Sequence, residues 1–480
     1  MRTLSFHTLL ISLCLAASAQ AAPLPPLVRD ALQQAHIPLD AVSIEVREEN
    51  ARMPLISLNA ERAMNPASTM KLLTTYAGLE LLGPAYSWKT EAWLDGKLEK
   101  GVLQGDLILK GYGDPKFTLE EFWLWLRELR GRGVREIHGD LVLDRSAFEP
   151  ELFNPGAFDN DPTRAYNVSP DALLLNFNAI RLRLIPDDEK VLVLAEPELA
   201  GITLDNRVTR GVNGDCDNWN DAVSAQLNGT KLLVQGAFPV TCGERTEYVS
   251  LLPHPEYAAA LFRALWQELG GTLLGKSRNG VVSASATLYA THHSAPLSDL
   301  IRDINKFSNN VMARQLFLSL SIPMSSPSPS RGEGEGEGAI PASPLHSAQA
   351  VREWLTSKKL DFPELVLENG SGLSRKERIS AHSMTLLLQA AQHSPLQAEF
   401  EASLPIVGVD GSMKKRLKES SAANHAHLKS GTLEGVKTVA GYVQSRSGKQ
   451  WSVVFFINHP NAKHGQAAQD ALIEWVQQQR

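Results

Sequence analysis

Segments from the two ends of this chain are predicted to meet in one antiparallel sheet. Near the carboxyl end, residues 439–445 and 451–457 are apolar strand patterns on either side of a Ser-Gly-Lys turn at 447–449, which predicts a β-hairpin. Near the amino end, residues 41–46 and 54–58 have the same strand character. With helical patterns beside both pairs, we expect an α+β fold whose main sheet takes strands from both termini.

The sequence pattern changes in the middle of the chain. From residue 91 to 250, short apolar alternations such as residues 105–110 and 139–144 are separated by Gly, Asp and Pro. This pattern is typical of short strands joined by turns. We therefore predict an inserted β-rich region at 91–250, which divides one discontinuous domain into residues 22–90 and 251–480.

The amino terminus has the pattern of a secretory signal peptide. Arg2 supplies positive charge, residues 9–17 form an apolar core, and residues 19–21 are a small-residue cleavage pattern. An apolar core of this length is too short to span a membrane. We predict that residues 1–21 are removed and that the mature protein lies outside the cytoplasm.

The cysteine content agrees with export. Cys14 lies in the predicted signal peptide, so Cys216 and Cys242 are the two cysteines of the mature chain. An even count in an oxidising compartment favours a disulfide between them, while two free buried cysteines are the alternative.

Composition excludes some classes of function. The 480 residues are 43% hydrophobic and 21% charged, as in ordinary globular proteins, and the net charge of −6 gives no electrostatic basis for binding nucleic acid. Residues 324–338 are rich in Ser and Pro and then alternate Gly with Glu, which predicts a disordered loop without a catalytic role. They do not match a nucleotide-binding glycine motif.

A Ser-x-x-Lys pattern at the start of a predicted helix is the first candidate for chemistry. Ser68 and Lys71 would share one helix face, so the lysine amine could activate the serine hydroxyl as a nucleophile. The spacing recurs at Ser412 and Lys415. A capping serine before a surface lysine would explain either occurrence, so spacing alone leaves the choice open.

A Ser-x-Asn pattern in a later helical segment is the second candidate. The Ser308 hydroxyl could pass a proton, and the Asn310 amide could donate to substrate or accept from a lysine. The pattern also occurs at residues 57–59 and 277–279, so it carries little weight by itself.

The third candidate leads into the carboxyl-terminal hairpin. Lys429 and Ser430 could hold a carboxylate, Gly431 would let a ligand approach the backbone, and the Thr432 N–H could donate a hydrogen bond. A simple turn before a strand is the alternative.

The order of the three patterns removes most of the duplicates. No Ser-x-Asn lies between Ser412 and Lys429, and residues 57–59 precede Ser68. Ser277 satisfies the order but lies in a predicted Gly-rich turn, whereas Ser308 opens a helix that could pack beside the Ser68 helix. We therefore choose Ser308.

The ordered triple resembles the active site of penicillin-binding proteins and serine β-lactamases. Residues 66–74 (PASTMKLLT), 369–375 (NGSGLSR) and 408–412 (GVDGS), together with the long insertion, resemble the low-molecular-mass class C penicillin-binding proteins, which are D-alanyl-D-alanine carboxypeptidase/endopeptidases. The resemblance implies a transpeptidase-like domain, an antiparallel sheet with helices, interrupted by a large insertion.

The resemblance assigns the nucleophile and its base. Ser68 would attack the carbonyl between two D-alanines while a neutral Lys71 takes its proton, with Lys429 as the nearby cation that lowers the pKa of Lys71. The N–H groups of Ser68 and Thr432 would form the oxyanion hole.

The remaining catalytic and carboxylate-binding roles follow in the same way. Ser308 would relay a proton to the leaving amine, and Asn310 would orient the base and the substrate. Lys429 and Ser430 would bind the terminal carboxylate, beside the backbone at Gly431.

A further subsite is implied for diaminopimelate. Arg375 matches the position that would grip its carboxylate, Asp161 could pair with its amine, and Tyr166 could pack on its stem. A surface arginine and a loop-capping aspartate are the alternatives.

The leading hypothesis is a periplasmic serine DD-carboxypeptidase, also a DD-endopeptidase, which acts on peptidoglycan stem peptides and cross-links and is inhibited by β-lactams. The alternatives are a serine β-lactamase and a non-catalytic cell-wall binding protein. We expect no metal, no cofactor and no nucleic acid partner, and leave peripheral association with the cell wall or membrane open.

Overall fold

The computed structural model describes residues 22–150, 154–212, 214–322 and 341–480. The predicted signal peptide and the predicted low-complexity loop at 324–338 lie outside the described residues. The strands of the described residues are, in chain order, β1 (Val42–Glu48), β2 (Ile56–Leu58), β3 (Lys89–Glu99), β4 (Val102–Gly111), β5 (Glu136–Ile137), β6 (Leu141–Asp144), β7 (Ile180–Pro186), β8 (Val191–Glu196), β9 (Thr203–Gly211), β10 (Val223–Asn228), β11 (Lys231–Pro239), β12 (Arg245–Val249), β13 (Thr272–Leu273), β14 (Ser277–Asn279), β15 (Thr287–His293), β16 (Ala426–Leu433), β17 (Val436–Gln444) and β18 (Gln450–Asn458).

The helices of the same residues are α1 (Pro26–Gln34), α2 (Met70–Leu82), α3 (Leu119–Gly131), α4 (His254–Glu268), α5 (Leu297–Lys306), α6 (Asn310–Ser319), α7 (Pro344–Ser357), α8 (Ala381–Gln392), α9 (Gln397–Ser403) and α10 (Gln466–Gln477).

The main sheet combines strands from both ends of the chain, as predicted. Its order is β16-β17-β18-β1-β2 and its pairings are antiparallel, with β1 between β18 and β2. Alternate residues of β18 enter different cores: Val453 and Phe455 pack in the core that contains α1 and α10, and Val454 and Phe456 in the core that contains α2 and α8. Helices on both faces therefore bury the sheet, and the predicted α+β fold is confirmed.

Helix α2 runs through the middle of the second core. Its residues from Met70 to Leu79 are buried, which explains why apolar side chains occur on all its sides. Helix α6 packs closely against it, since a Cβ added at Gly78 would lie 3.1 Å from a methyl group of Leu316. The two helices also meet at their starts, where Lys71 Nζ donates to Asn310 Oδ1 at 2.6 Å.

The insertion contains a mixed sheet with the path β13-β5-β4-β3-β15, extended by β6 and β14, and two three-stranded sheets. Helices α3 and α4 pack with these strands in one core, which includes Phe122, Phe262 and Trp266. Cys216 and Cys242 form the expected disulfide, with their Cα atoms 5.3 Å apart.

The predicted end of the insertion at residue 250 is too early. Strand β15 pairs with β3 antiparallel, from Thr287 opposite Leu94 to His293 opposite Lys89, and β13 and β14 pair with β5 and β6. Residues 254–293 therefore complete the sheet of the insertion. Their helical pattern in α4 fits either region, so the boundary follows only from strand pairing, which the sequence does not reveal.

Candidate active site

Ser68 lies on a 3₁₀ turn, Ala67–Thr69, that leads into α2. The Pro66 carbonyl accepts hydrogen bonds from the side chains of Thr69 (2.6 Å) and Thr438 (2.7 Å). The second of these bonds ties the turn to strand β17. Ser68 is half-buried between buried neighbours, so its side chain remains partly accessible.

The Lys71 amine lies next to that hydroxyl. Lys71 Nζ is 3.2 Å from Ser68 Oγ and donates to Asn310 Oδ1 at 2.6 Å and to the Ser371 carbonyl. The helical spacing of three residues brings the lysine to the serine. Helix α6 and the loop before Glu377 supply the two acceptors that hold the amine in place.

Burial and neighbouring cations act on the protonation of Lys71. Its side chain is fully buried, and this desolvation lowers the pKa of Lys71 well below the ordinary lysine value, as do the charges of Lys429 and Arg314. The charge of Glu377 acts in the opposite direction and raises the pKa of Lys71. The balance favours a neutral amine that can accept a proton.

Lys429 is the second buried lysine of the cluster. Its Nζ donates to Ser308 Oγ at 2.9 Å and to the Ser430 carbonyl at 2.7 Å. Burial lowers the pKa of Lys429 to about 7. Ser308 occupies the turn between α5 and α6 with a left-handed φ of 57°.

Strand β16, at the edge of the main sheet, carries the Lys-Ser-Gly segment. Ser430 is partly exposed and Thr432 is exposed on this strand. Gly431 lies directly against the Ser68 turn, since a Cβ added there would be 2.8 Å from the Ser68 nitrogen. The missing side chain therefore lets the strand edge approach the turn.

All five residues predicted to be catalytic lie in one cluster. Lys71 connects Ser68 with Asn310, and Lys429 connects Ser308 with β16. The cluster combines three segments that are far apart in the sequence.

Two groups at the site had no predicted role. The Ser371 carbonyl accepts from the lysine amine, and Ser412 Oγ accepts from Ser430 Oγ at 3.1 Å. Sequence order excludes Ser412 as the nucleophile, yet the turn after residue 408 brings it to the rim of the cluster. The only sequence signals for these two groups were the stretches 369–375 and 408–412, which resembled the family but gave Ser371 and Ser412 no role.

Arg375 lies where the insertion meets the edge of β16. Its guanidinium donates to the Glu434 carbonyl at 3.0 Å and lies 4.6 Å from the centre of the Phe158 ring. Its side chain is 45% exposed, so part of the guanidinium remains open to a ligand.

Asp161 and Tyr166 belong to one hydrogen-bonded loop of the insertion. The two Asp161 oxygens accept from Arg164 Nε at 2.7 Å and from the Thr163 hydroxyl at 2.8 Å. Tyr166 donates its hydroxyl to Asp159 at 2.7 Å. Both predicted groups thus have protein partners in the structure.

One cavity adjoins the cluster, and a second lies at Arg375. One has a volume of about 780 Å³ and lies between the insertion and helices α5 and α6; its walls include Ser308, Asn310, Tyr166 and Tyr248. The other has a volume of about 390 Å³ and includes Arg375. Within the described ranges, no group of three or more His, Cys, Asp or Glu side chains is placed to hold a metal ion.

Comparison with known proteins agrees with this geometry. The chain is 29% identical to a D-alanyl-D-alanine carboxypeptidase of Actinomadura sp. strain R39 over 82% of this chain and 73% of that protein. It is 27% identical to the D-alanyl-D-alanine carboxypeptidase DacB of Haemophilus influenzae, over 85% of this chain and 83% of that protein.

A solved structure has the same fold. Penicillin binding protein 4 (dacB) from Haemophilus influenzae superposes with a TM-score of 0.74 and 25% identity, covering 93% of this chain and 99% of that one. The profile of the D-Ala-D-Ala carboxypeptidase 3 (S13) family matches residues 26–479, nearly the whole described chain. The chain therefore belongs to the D-Ala-D-Ala carboxypeptidase 3 (S13) family and is a serine-type carboxypeptidase, which confirms the resemblance to class C penicillin-binding proteins.

Proposed function

We propose that this carboxypeptidase forms an acyl-enzyme on Ser68 and hydrolyses both the terminal D-alanyl-D-alanine bond of peptidoglycan stem peptides and the cross-links between them. The observation that carries the proposal is the buried, neutral-favouring Lys71 amine 3.2 Å from Ser68 Oγ. A nucleophile and a base within hydrogen-bonding reach, with the base oriented by further groups, are what acyl transfer requires.

Acylation begins with attack on the carbonyl carbon between the two D-alanines. Ser68 Oγ forms the new C–O bond, and its proton passes to the Lys71 amine. Asn310 and the Ser371 carbonyl keep that amine directed at the hydroxyl.

The negative charge that develops on the carbonyl oxygen needs two donors. The N–H groups of Ser68 and Thr432 are the proposed pair, at the start of α2 and on the edge strand β16. The close approach of Gly431 to the Ser68 nitrogen supports this pairing, because it brings the two backbones into one pocket.

Collapse of the tetrahedral intermediate breaks the C–N bond. Ser308 donates its proton to the departing amine and takes a replacement proton from the protonated Lys71 amine. Lys429 holds the Ser308 hydroxyl in position. D-Alanine, or the partner stem peptide of a cross-link, leaves. Water then attacks the ester, releases the shortened peptide and returns the proton to Ser68.

Recognition of the two ends of the substrate falls to different residues. Lys429 and Ser430 bind the terminal carboxylate, with Ser412 next to the Ser430 hydroxyl. Arg375 binds the carboxylate at the free end of diaminopimelate, while Asp161 would pair with its amine and Tyr166 would pack on its stem. The exposed part of the Arg375 guanidinium and the adjacent 390 Å³ cavity support this subsite.

The larger cavity supports action on cross-links. Its volume of about 780 Å³ lies in the range of sites that enclose whole ligands, and Ser308 and Asn310 form part of its wall. A second stem peptide attached to the leaving amine would need such a space beside Ser308.

β-Lactams would acylate the same serine as inhibitors. The related Haemophilus influenzae penicillin binding protein 4 has been crystallised in complex with a β-lactam, which supports this proposal. The clustering of Ser68, Lys71 and Lys429 supplies the groups that such an acylation uses.

The periplasm is the proposed compartment. The predicted signal peptide and the Cys216–Cys242 disulfide both fit an oxidising environment outside the cytoplasm. Among the described helices, none has the length and apolar character needed to cross a membrane.

Replacement of Ser68 by alanine should abolish acylation. Purified Ser68→Ala and Ser412→Ala variants would be incubated with a labelled penicillin and measured by intact mass spectrometry. Ser412→Ala, the matched control with the same Ser-x-x-Lys spacing, should still gain the adduct because its hydroxyl is not next to Lys71. An adduct on Ser68→Ala would refute the assignment, and rapid turnover of the penicillin by the wild type would indicate a β-lactamase.

A methyl group at Gly431 should separate the oxyanion donors. In Gly431→Ala the new Cβ would lie 2.8 Å from the Ser68 nitrogen and 2.3 Å from Thr438 Oγ1, so the strand must move away. Since loss of one oxyanion donor costs about 10²–10³ in rate, the acylation rate should fall by at least about 10²-fold. Gly131→Ala, whose added Cβ meets nothing within 4 Å, is the control; equal rates in the two variants would contradict the prediction.

Removal of the Arg375 guanidinium should affect peptide selection more than acylation by penicillin. Arg375→Ala is expected to lose about tenfold or more in kcat/KM for peptides with a free diaminopimelate end, because a charge-assisted pair is lost. Its acylation by penicillin should stay within about twofold of the wild type. Arg132→Ala removes an arginine of similar exposure, which is ion-paired with Glu128 at the residue after α3, and serves as the control. Equal losses for the peptide and the penicillin would exclude the subsite role.

A further inference from the structure

Glu377 is a fully buried carboxylate that binds the backbone of one loop. Its Oε1 accepts the N–H groups of Glu368 (3.2 Å), Asn369 (2.9 Å) and Gly370 (2.8 Å), and its Oε2 accepts the N–H of Gly372 (3.0 Å). Four N–H groups directed at one side chain leave it no donor role, so the arrangement matches an ionised carboxylate.

The same loop holds the candidate base. The Ser371 carbonyl, between two of the residues bound by Glu377, accepts from Lys71 Nζ. The neighbouring Gly370 carbonyl accepts from Thr74 Oγ1 at 2.6 Å, which joins the loop to the next turn of α2. A displacement of this backbone would therefore move the acceptor away from Lys71.

The loop also touches the turn that carries the nucleophile. A Cβ added at Gly372 would lie only 1.9 Å from the Ala67 carbonyl oxygen. Gly370 and Gly372 have left-handed φ values of +68° and +78°, and this conformation directs their N–H groups toward one point. Glu377 occupies that point.

Glu377 is also the negative charge of an otherwise cationic group. Burial lowers the pKa of Lys71 most, the charges of Lys429 on β16 and Arg314 on α6 lower it further, and the charge of Glu377 raises it. Burial raises the pKa of Glu377, whereas its N–H donors favour the ionised form.

We propose that Glu377 is a positioning residue for the reaction at Ser68: its carboxylate fixes the 368–372 backbone so that Ser371 holds the Lys71 amine beside the nucleophile, and its negative charge acts on that amine. The proposal rests on the function proposed above, in which Lys71 is the base. Glu377 itself touches neither the substrate nor the reacting atoms.

Two substitutions distinguish the effect of the length of the Glu377 side chain from the effect of its charge. Glu377→Gln removes the charge and directs an amide N–H₂ group at one of the backbone N–H groups. Because a catalytic group misplaced by about 1 Å can lower the rate about 10²-fold, the plateau rate of acylation should fall by about 10- to 100-fold. The acid limb of the pH–rate profile of Glu377→Gln should move to lower pH, since loss of the anion lowers the pKa of Lys71 further.

Glu377→Asp keeps the charge but is one methylene too short to reach all four N–H groups. Its plateau rate should fall in the same way, while its acid limb stays at the wild-type pH. The measurement is the rate constant for acylation of Ser68 by a labelled penicillin from pH 5 to 10, expressed per titrated active site so that unfolded protein does not count.

Glu364→Gln is the matched control. The Glu364 carboxylate also accepts a backbone N–H, that of Ser380 at 2.9 Å, but it holds the start of α8 and not the loop that contacts Lys71. Its rate and pH profile should equal those of the wild type.

Wild-type acylation rates in both Glu377 variants would overturn the proposal. Lower rates in both variants, with the acid limb of the pH–rate profile at the same pH in both, would also overturn it, because they would indicate a structural role only. If Glu377→Gln does not fold, Glu377→Asp decides: a wild-type rate per active site would overturn the positioning role. Absence of an adduct on Ser68 in the wild type would instead refute the proposed function.

Discussion

Burial of the Lys71 amine is the constraint on which the rest of the site depends. An exposed lysine is protonated at neutral pH and cannot accept a proton from serine, whereas removal of a charged ammonium from water costs several kcal/mol and favours the neutral form. The structure compensates with acceptors on Asn310 and Ser371 and places the positive charge of Lys429 nearby. The proposed chemistry of Ser68 follows from this environment, because the three-residue spacing alone would also fit a capping serine beside a surface lysine.

The fold supplies the burial by joining distant parts of the chain. Strands from both termini form one sheet, α2 runs through the core on one of its faces, and the edge strand β16 packs directly against the Ser68 turn. The insertion leaves and rejoins this body through the paired strands β3 and β15, so it can form a wall of the cleft without interrupting the sheet. Two residues of the insertion lie near the proposed substrate path: Phe158, which contacts Arg375, and Tyr166, which lines the larger cavity.

Much of this arrangement was predictable from the sequence, and the exceptions have physical reasons. Helical spacing and motif order predicted the cluster of Ser68, Lys71, Ser308, Asn310 and Lys429, because side-chain chemistry identifies such residues. The Ser371 carbonyl had no such signal, since every residue has a carbonyl and its use depends on the path of the loop. The end of the insertion was misplaced because α4 fits either region and the pairing of β15 with β3 spans nearly 200 residues of chain. The partners of Asp161 were also hidden, because Arg164 competes for a carboxylate that the motif assigned to a ligand.

The protonation of Lys71 tests the central claim most directly. In protein with ¹³C at the lysine Cε positions, the Lys71 signal, assigned by its loss in Lys71→Arg, would be followed by NMR from pH 5 to 11. We expect the pKa of Lys71 to lie well below the ordinary 10.5, because the amine is buried and lies near the charge of Lys429. A Lys71 signal that titrates near 10.5 would contradict the account, because the amine beside Ser68 would then be an ion pair partner and not a base.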